Sequence, residues 1–280
     1  MMMKWNVCVL VAASLLSLGC AEATVRPAQV TERGTRYYGK EVLHLGEIFL
    51  ETNEWSDTNQ TTCIFLDEDG TFGIIWERGD TGEQYMPNYP KAEIGVAPWN
   101  TEGNPMSSSS ALLPIQLKDL ESASMTLDVT THTTTNHGWN LAFELWLSDE
   151  DPTKGKAHPR GEVMIFLGNK PKYWPWEPKG GTLNDGFNTY TLWETSDDWQ
   201  HWGLYRQWRI GDTDGTVEFK GTIDIFAFLK HHMEEDGWDE NLWVTRFEIG
   251  NETYKNSGGT TRFRELSFEV NGQTRSAVTE

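Results

Sequence analysis

Cysteine is nearly absent from this chain: Cys8, Cys20 and Cys63 are all it has in 280 residues. That excludes a disulfide framework, and no Cys or His spacing of the zinc-site kind is present, so neither a metal nor a cofactor is expected. Basic residues are also scarce, 23 Lys and Arg against 42 Asp and Glu, for a formal charge of -19. Such a surface repels nucleic acid and anionic membranes and disfavours polyanionic substrates, while neutral ones remain open. Long apolar runs are missing except near the start. There Lys4 precedes the stretch Val7 to Leu18, too short to span a bilayer and of signal-peptide length. Two processing readings compete over residues 1–23. Ala21-Glu22-Ala23 is an A-x-A site that frees Thr24; Leu16 to Cys20 resembles a lipobox, with Leu18 where a small residue is usual, and would leave Cys20 lipidated. Both predict export, either to the extracellular space or to a lipid anchor at a bacterial cell envelope. Cys63 is free or paired with Cys20, the pairing being open only to an unlipidated Cys20. No signal for oligomerisation is seen, and a monomer is expected.

Tryptophan, by contrast, is abundant, at 14 residues. Trp55, Trp99, Trp139, Trp174, Trp176, Trp199 and Trp202 have polar neighbours. Flat aromatics stack on the apolar C–H faces of sugar rings while the hydroxyls bond the polar rim. A core filled with Trp is the competing explanation, and about half of them are expected in the core on that amphipathic logic.

After a polar lead over 24–41, a loose tether or first edge strand, the pattern is strand-like almost to the end. Short β-branched and aromatic runs alternate with Gly, Asn, Asp and Pro clusters, at 43–51, 61–67, 71–77, 110–117, 123–131, 139–148, 161–168, 188–194, 202–210, 215–222, 242–250 and 262–270. Asp67-Glu68-Asp69-Gly70 and Gly211 to Gly215 mark hairpin turns. Asp224 to Glu235 alone has helical spacing, with Asp224 placed to cap it and Gly237 beyond its end. Residues 170–186 are expected to be a long loop and 97–110 a second irregular stretch. Many strands, one helix and no linker predict an all-β sandwich over 42–272, with a tail at 273–280.

Two of these runs contain carboxylates where strands rarely tolerate them: Gly161-Glu162-Val163-Met164-Ile165-Phe166 and Phe247-Glu248-Ile249-Gly250-Asn251-Glu252. Alternation puts Glu162 and Met164 on one face, and Glu248, Gly250 and Glu252 on one face. Facing carboxylates are the minimum equipment for cleaving a glycosidic bond.

These segments, with Ala142-Phe143-Glu144-Leu145-Trp146-Leu147-Ser148, Asn53-Glu54-Trp55 before Cys63, and Tyr89-Pro90, occur in the order found in glycoside hydrolase family 12. The chain resembles that family over roughly residues 42–270. The resemblance implies a jelly roll of two curved antiparallel sheets with a cleft on the concave face, and hydrolysis of β-1,4-glucans or xyloglucan with retention. It implies Glu162 as nucleophile, Glu252 as acid/base and Glu144 as the auxiliary carboxylate, with a low pKa for Glu162 and a raised one for Glu252. It also implies substrate contacts from Asn53, Trp55, Met164 and Trp146. Trp174 and Trp176 lie in a loop longer than the family's and would add a subsite. Glu248 is read as a salt-bridged neighbour rather than a catalytic acid. Besides Phe166 in place of the usual Trp, three departures stand out: Glu144 replaces an Asp, the cysteine that partners Cys63 is missing, and the Trp174-to-Gly181 loop is longer. A non-catalytic β-glucan-binding protein on the same fold is the alternative, and a surface adhesion protein is a third reading.

Overall fold

The computed structural model describes residues 29–31, 34–38, 41–54, 60–79, 88–99, 111–135, 137–155, 157–170, 178–199, 203–210 and 216–277. Along the chain these form β1 (Gln29–Thr31), β2 (Gly34–Tyr38), β3 (Val42–Leu45), β4 (Ile48–Glu51), β5 (Gln60–Asp67), β6 (Phe72–Arg78), β7 (Lys91–Gly95), β8 (Ile115–Gln116) and β9 (Ala123–Thr133). There follow β10 (Asn140–Ser148), β11 (Pro159–Asn169), β12 (Thr182–Asn184), β13 (Thr189–Trp199), β14 (Gly203–Arg209), β15 (Thr216–Asp224), α1 (Ile225–Glu235), β16 (Trp243–Gly250), β17 (Gly258–Val270) and β18 (Gln273–Ser276).

The strands make a two-sheet jelly roll. One sheet is ordered β1-β2-β5-β6-β17-β9-β15, with β18 beside β17; the other is ordered β12-β13-β14-β11-β10-β16-β7-β4-β3, with β8 beside β16. Alternation explains why they pack. Phe143, Leu145 and Leu147 of β10, Val163 and Ile165 of β11, and Phe247 and Ile249 of β16 face a shared core with Ile64, Ile74, Met125, Leu127, Phe263 and Phe268 of the opposite sheet. Burial of these apolar faces is the main favourable contribution to folding. Trp139, one of the tryptophans with polar neighbours, is itself fully buried in this core, as are Trp76 and Trp208.

The helix forms where its spacing predicts. The Asp224 carboxylate accepts a hydrogen bond from the Ala227 N–H at 3.1 Å, and Gly237 follows at φ 70°. Buried His232 ties the helix to the sheet: Trp208 Nε1 donates to its Nε2 at 3.1 Å, and its Nδ1 lies 2.8 Å from Asp236. Burial pushes its pKa down to about 4, so the ring is neutral at pH 7.

Several expectations are corrected. The run 110–117 contributes only the two residues of β8, followed by a 3-10 turn at Leu117–Asp119; Pro114 cannot donate to a ladder. The stretch expected to be a loop over 170–186 contains β12, which pairs with β13. That edge strand is three residues long and buries only Leu183, too short a run for its alternation to be read. The sheets are not wholly antiparallel, because β11 and β14 run parallel. Of the two readings of the lead, the edge strand is the one formed: it supplies β1 and β2, paired onto β5, while the tail supplies β18. Cys63 is buried and has no disulfide partner among the described residues; Cys20 lies outside them. The signal segment and the Gly211–Gly215 turn lie outside the described residues.

Candidate active site

The site is built on β10 and its two neighbours, whose second face is buried too. Glu144 stands opposite Met164 of β11 on one side and Glu248 of β16 on the other. One step along, Trp146 stands opposite Glu162 and Arg246. Directly opposed residues share a face, so Glu144, Trp146, Glu162, Met164 and Glu248 pack together on the side away from the core. Beyond Met164, Tyr205 of β14 donates its hydroxyl to the Met164 Sδ at 3.1 Å, and Phe166 completes a small apolar floor with Ala142.

Glu252 enters from just past the end of β16. Gly250 permits this, because a Cβ there would collide with the Pro90 carbonyl oxygen and with Lys91. Asn140 then clamps the segment. Its Oδ1 accepts the Glu252 N–H at 3.0 Å, its own N–H donates to the Glu252 carbonyl at 3.1 Å, and its Nδ2 donates to the Glu252 carboxylate. Tyr254 OH donates to the same carboxylate oxygen at 3.2 Å. Burial raises the Glu252 pKa to about 7, against the lowering effect of the Asn140 and Tyr254 hydrogen bonds. This value suits a general acid near neutrality. The Asn140 bond favours the charged form, so Asn140→Ala is expected to move the alkaline limb of kcat/KM to higher pH. It should also lower kcat, because the carboxyl loses its fixed orientation; an unmoved limb would show that Asn140 does not act on the proton of Glu252.

Glu162 and Glu144 behave as one unit. Burial, then the charge of Glu162, raises the Glu144 carboxyl well above its usual range. Burial, then Glu252 and Glu248, does the same to Glu162, with Lys91 opposing. The low pKa expected for Glu162 is therefore corrected: burial among like charges outweighs the cation. Neighbouring acids of this kind titrate together, so their protonation belongs to the cluster rather than to either residue.

The opposing cation belongs to an array that sequence reasoning missed. Lys91 Nζ lies 2.7 Å from Glu248, 3.1 Å from Glu93 and 3.5 Å from Glu51. Arg246 Nε lies 2.7 Å from Glu248, and its Nη2 pairs with Glu93 and lies 3.8 Å from Glu51. None of these side chains is more than 4 % exposed. Burial alone would raise Glu248, but Lys91 and Arg246 outweigh it and hold the carboxyl below its usual value. Glu248 is thus salt-bridged, and it accepts the Trp146 Nε1–H at 3.3 Å, linking the array to the ring beside Glu162.

Residues 47–271 match the Glycosyl hydrolase family 12 profile. The chain belongs to that family. Among solved structures, the family 12 xyloglucanase from Bacillus licheniformis shares 16% identity at a TM-score of 0.68, covering 84% of this chain and 100% of that one. Endoglucanase cel12A from Rhodothermus marinus shares 21% identity at 0.63, over 86% and 99%. Trichoderma harzianum endoglucanase 3 shares 13% identity at 0.61, over 87% and 100%. Among curated proteins, none matches this chain in sequence.

The remaining expected contacts of this family 12 chain are placed as follows. Asn53 sits just past β4 at φ 40°, and its carbonyl accepts the Tyr89 N–H at 3.3 Å. Trp146 is 5 % exposed, with the half-exposed Trp99 packed edge-on at 4.7 Å. Trp99 is the aromatic next to the cleft that the residue-by-residue assignment left out, although its polar neighbours had marked it. Trp55, Trp174 and Trp176 lie outside the described residues.

Proposed function

We propose that the chain is an exported, retaining endo-β-1,4-glucanase acting on cellulose-type, mixed-linkage or xyloglucan chains. The observation that carries this reading is the gathering of Glu252, Glu162 and Glu144 on one face of a family 12 jelly roll, close enough that Glu252 and Glu162 both raise the buried Glu144 carboxyl and Glu252 raises that of Glu162. Glu252 is a single carboxyl, fixed by Asn140 and Tyr254, with a pKa near 7. Beside it stand Glu162 and Glu144, both raised by burial and by neighbouring acids. Double displacement requires one carboxyl as acid and a second as nucleophile. Membership of family 12, and relatives named xyloglucanase and endoglucanase, support β-glucan as the substrate class.

In the proposed sequence the Glu162 carboxylate attacks the anomeric carbon as Glu252 protonates the departing glycosidic oxygen. Glu252, now ionised, takes a proton from water, whose oxygen attacks the same carbon and releases Glu162. Glu144 holds a proton throughout and hydrogen-bonds the nucleophile. Retention requires the two carboxyl groups to approach to about 5–5.5 Å. Met164 lies under the reacting sugar and Trp146 beside it, with Asn53 towards the non-reducing side. Export, free or lipid-anchored through Cys20, rests on the sequence of residues 1–23 and is checked by the mass of the mature N-terminal peptide.

Purified protein is expected to release reducing ends from at least one of xyloglucan, mixed-linkage glucan and carboxymethylcellulose, but not from xylan. Glu252→Ala is expected to lose activity on these polymers and recover it with azide or with an activated leaving group. Binding of the glucans without any release, by a folded protein, would move the reading to a non-catalytic binding protein. The longer carboxyl at Glu144 and the raised Glu162 are the observations that would then be decisive.

A further inference from the structure

Away from the cleft, the turn between β12 and β13 presents an aromatic ring to water. Phe187 is 64 % exposed, and with Trp99 it is one of two large apolar side chains left exposed among the described residues. A single exposed ring is ordinary; a ring on an anchored turn beside a cavity is not. Asp185, buried beneath the turn, is the anchor. Its Oδ1 accepts the N–H groups of Phe187 at 2.8 Å and Asn188 at 2.6 Å. Its Oδ2 accepts the Tyr190 hydroxyl at 3.0 Å and the Asp224 N–H at 3.1 Å. Asn188 Nδ2 donates to the Thr222 carbonyl at 3.0 Å. The backbone under the ring is thereby tied to the end of β15 and the start of α1. The catalytic carboxylates are distant. Glu162 lies opposite Tyr205, which pairs with Ser196 of β13. From Ser196 back to Thr189 is about 20 Å of strand, and the turn lies beyond.

Phe187 lines a solvent-open cavity of about 230 Å³ with Phe226, Ser122, Ser124, Asp224 and Glu269. Its floor is the outward face of the sheet that does not carry the cleft. There Ser124 of β9 stands opposite Asp224 of β15 on one side and Glu269 of β17 on the other. A hydroxyl thus lies between two carboxyls, with about 4.8 Å from strand to strand. Ser122 Oγ donates to Glu269 at 2.9 Å, orienting that carboxyl at the rim. Among the described residues no basic side chain lines the cavity, and no three His, Cys, Asp or Glu are grouped to hold a metal ion. The acids repel phosphate, sulfate and uronate groups. Hydroxyls and carboxyls set beside one aromatic face match a neutral pyranose ring, polar at its rim and apolar on its C–H face. We propose that this cavity is a second, non-catalytic site that takes one glucosyl unit of a β-glucan against Phe187. A polymer held there has its free length near the cleft at high effective concentration, an advantage that short oligosaccharides do not share.

The identity of the ligand rests on the glucanase reading, and the test separates the two. Retention in gels containing soluble mixed-linkage glucan, measured in the Glu162→Gln background, reads binding without turnover. Phe187→Ala and Ser124→Arg are each expected to weaken retention by roughly three- to tenfold. Phe187 is exposed, and an arginine at 124 fills the cavity while pairing with Asp224 and Glu269, so both variants keep the fold. With Glu162 intact, both should turn over cellotetraose at the parental rate, because that chain is too short to bridge the cleft and the cavity. Retention equal to the parent in both variants overturns the site and leaves the glucanase reading intact. A loss of cellotetraose turnover that matches the loss of retention also overturns it, since the residues would then act through the cleft. A Tm raised by calcium chloride in the parent but not in Ser124→Arg assigns the cavity to a cation and overturns it as well. Retention lost in both variants, in a protein that hydrolyses none of the glucans, supports the site and overturns the glucanase reading.

Discussion

Glu162→Gln is expected to lower kcat by at least about four orders of magnitude while leaving glucan affinity within roughly tenfold. The amide keeps the size and hydrogen-bonding shape of the carboxyl but cannot form the glycosyl-enzyme. A second effect separates this residue from an ordinary surface acid. Glu162 is buried among Glu144, Glu248 and Glu252, and its folded pKa lies well above the usual value. A carboxyl raised in this way binds its proton more tightly in the folded state than in the unfolded one. Its contribution to stability is therefore lost as pH rises from near 4.5 through the raised value. Gln removes that loss. The variant is expected to be more stable than the parent at pH 8, by about 1 kcal/mol or 2–4 °C in Tm, and to differ little at pH 4. Thermal unfolding of both proteins at the two pH values, alongside the rate assay, checks the pair of effects. Near-parental turnover would remove Glu162 from the nucleophile role. Lost turnover with a lowered Tm at pH 8 would make the residue structural.

Lys91→Met is expected to be the most destabilising single change near the cleft. Lys91 joins Glu51, Glu93 and Glu248, and removing it leaves those three buried acids with Arg246 alone. Breaking a buried pair by deleting one partner costs about 3–5 kcal/mol, mostly the penalty of stranding the other charge. At roughly 2–4 °C per kcal/mol for a chain of this size, Tm should fall by on the order of 10 °C. Glu248, which Lys91 helps hold below its usual value, should then rise, so the deficit should widen as pH rises and shrink at pH 4. Lys91 also draws the pKa of the Glu144/Glu162 pair down. Without it, the acid limb of kcat/KM should move to higher pH, because a larger proton deficit is needed to ionise the nucleophile. The double variant Lys91→Met/Glu93→Gln removes one charge of each sign. It should recover part of the stability but not the displaced limb, since the cation is still missing. Unchanged Tm and an unchanged pH profile in the single variant would mean that the array carries neither stability nor influence on the pair.

The carboxylates of the site were legible because each violates the composition of its strand. Glu144 and Glu162 sit in runs that bury both faces, and Glu252 follows a glycine that the close approach of Pro90 requires. Lys91 with Glu93, and Arg246 with Glu248, break their strands in the same manner. They could have been noticed as charged residues at alternate positions. Nothing in either run says that β7 and β16 are neighbours, so their pairing was not readable.

The sequence by itself determined the β-rich class, the single capped helix, the strand faces that carry Glu144, Glu162 and Met164, and the family. These follow from local alternation, capping chemistry and short ordered motifs, which act over a few residues. Only the tertiary structure decided the parallel pairing of β11 with β14, the strands formed by the lead and tail, the Lys91–Arg246 array and the upward shift of Glu162. Each depends on which distant segments become neighbours, and on how far burial takes their charges from water, and neither is a property of any local run of residues.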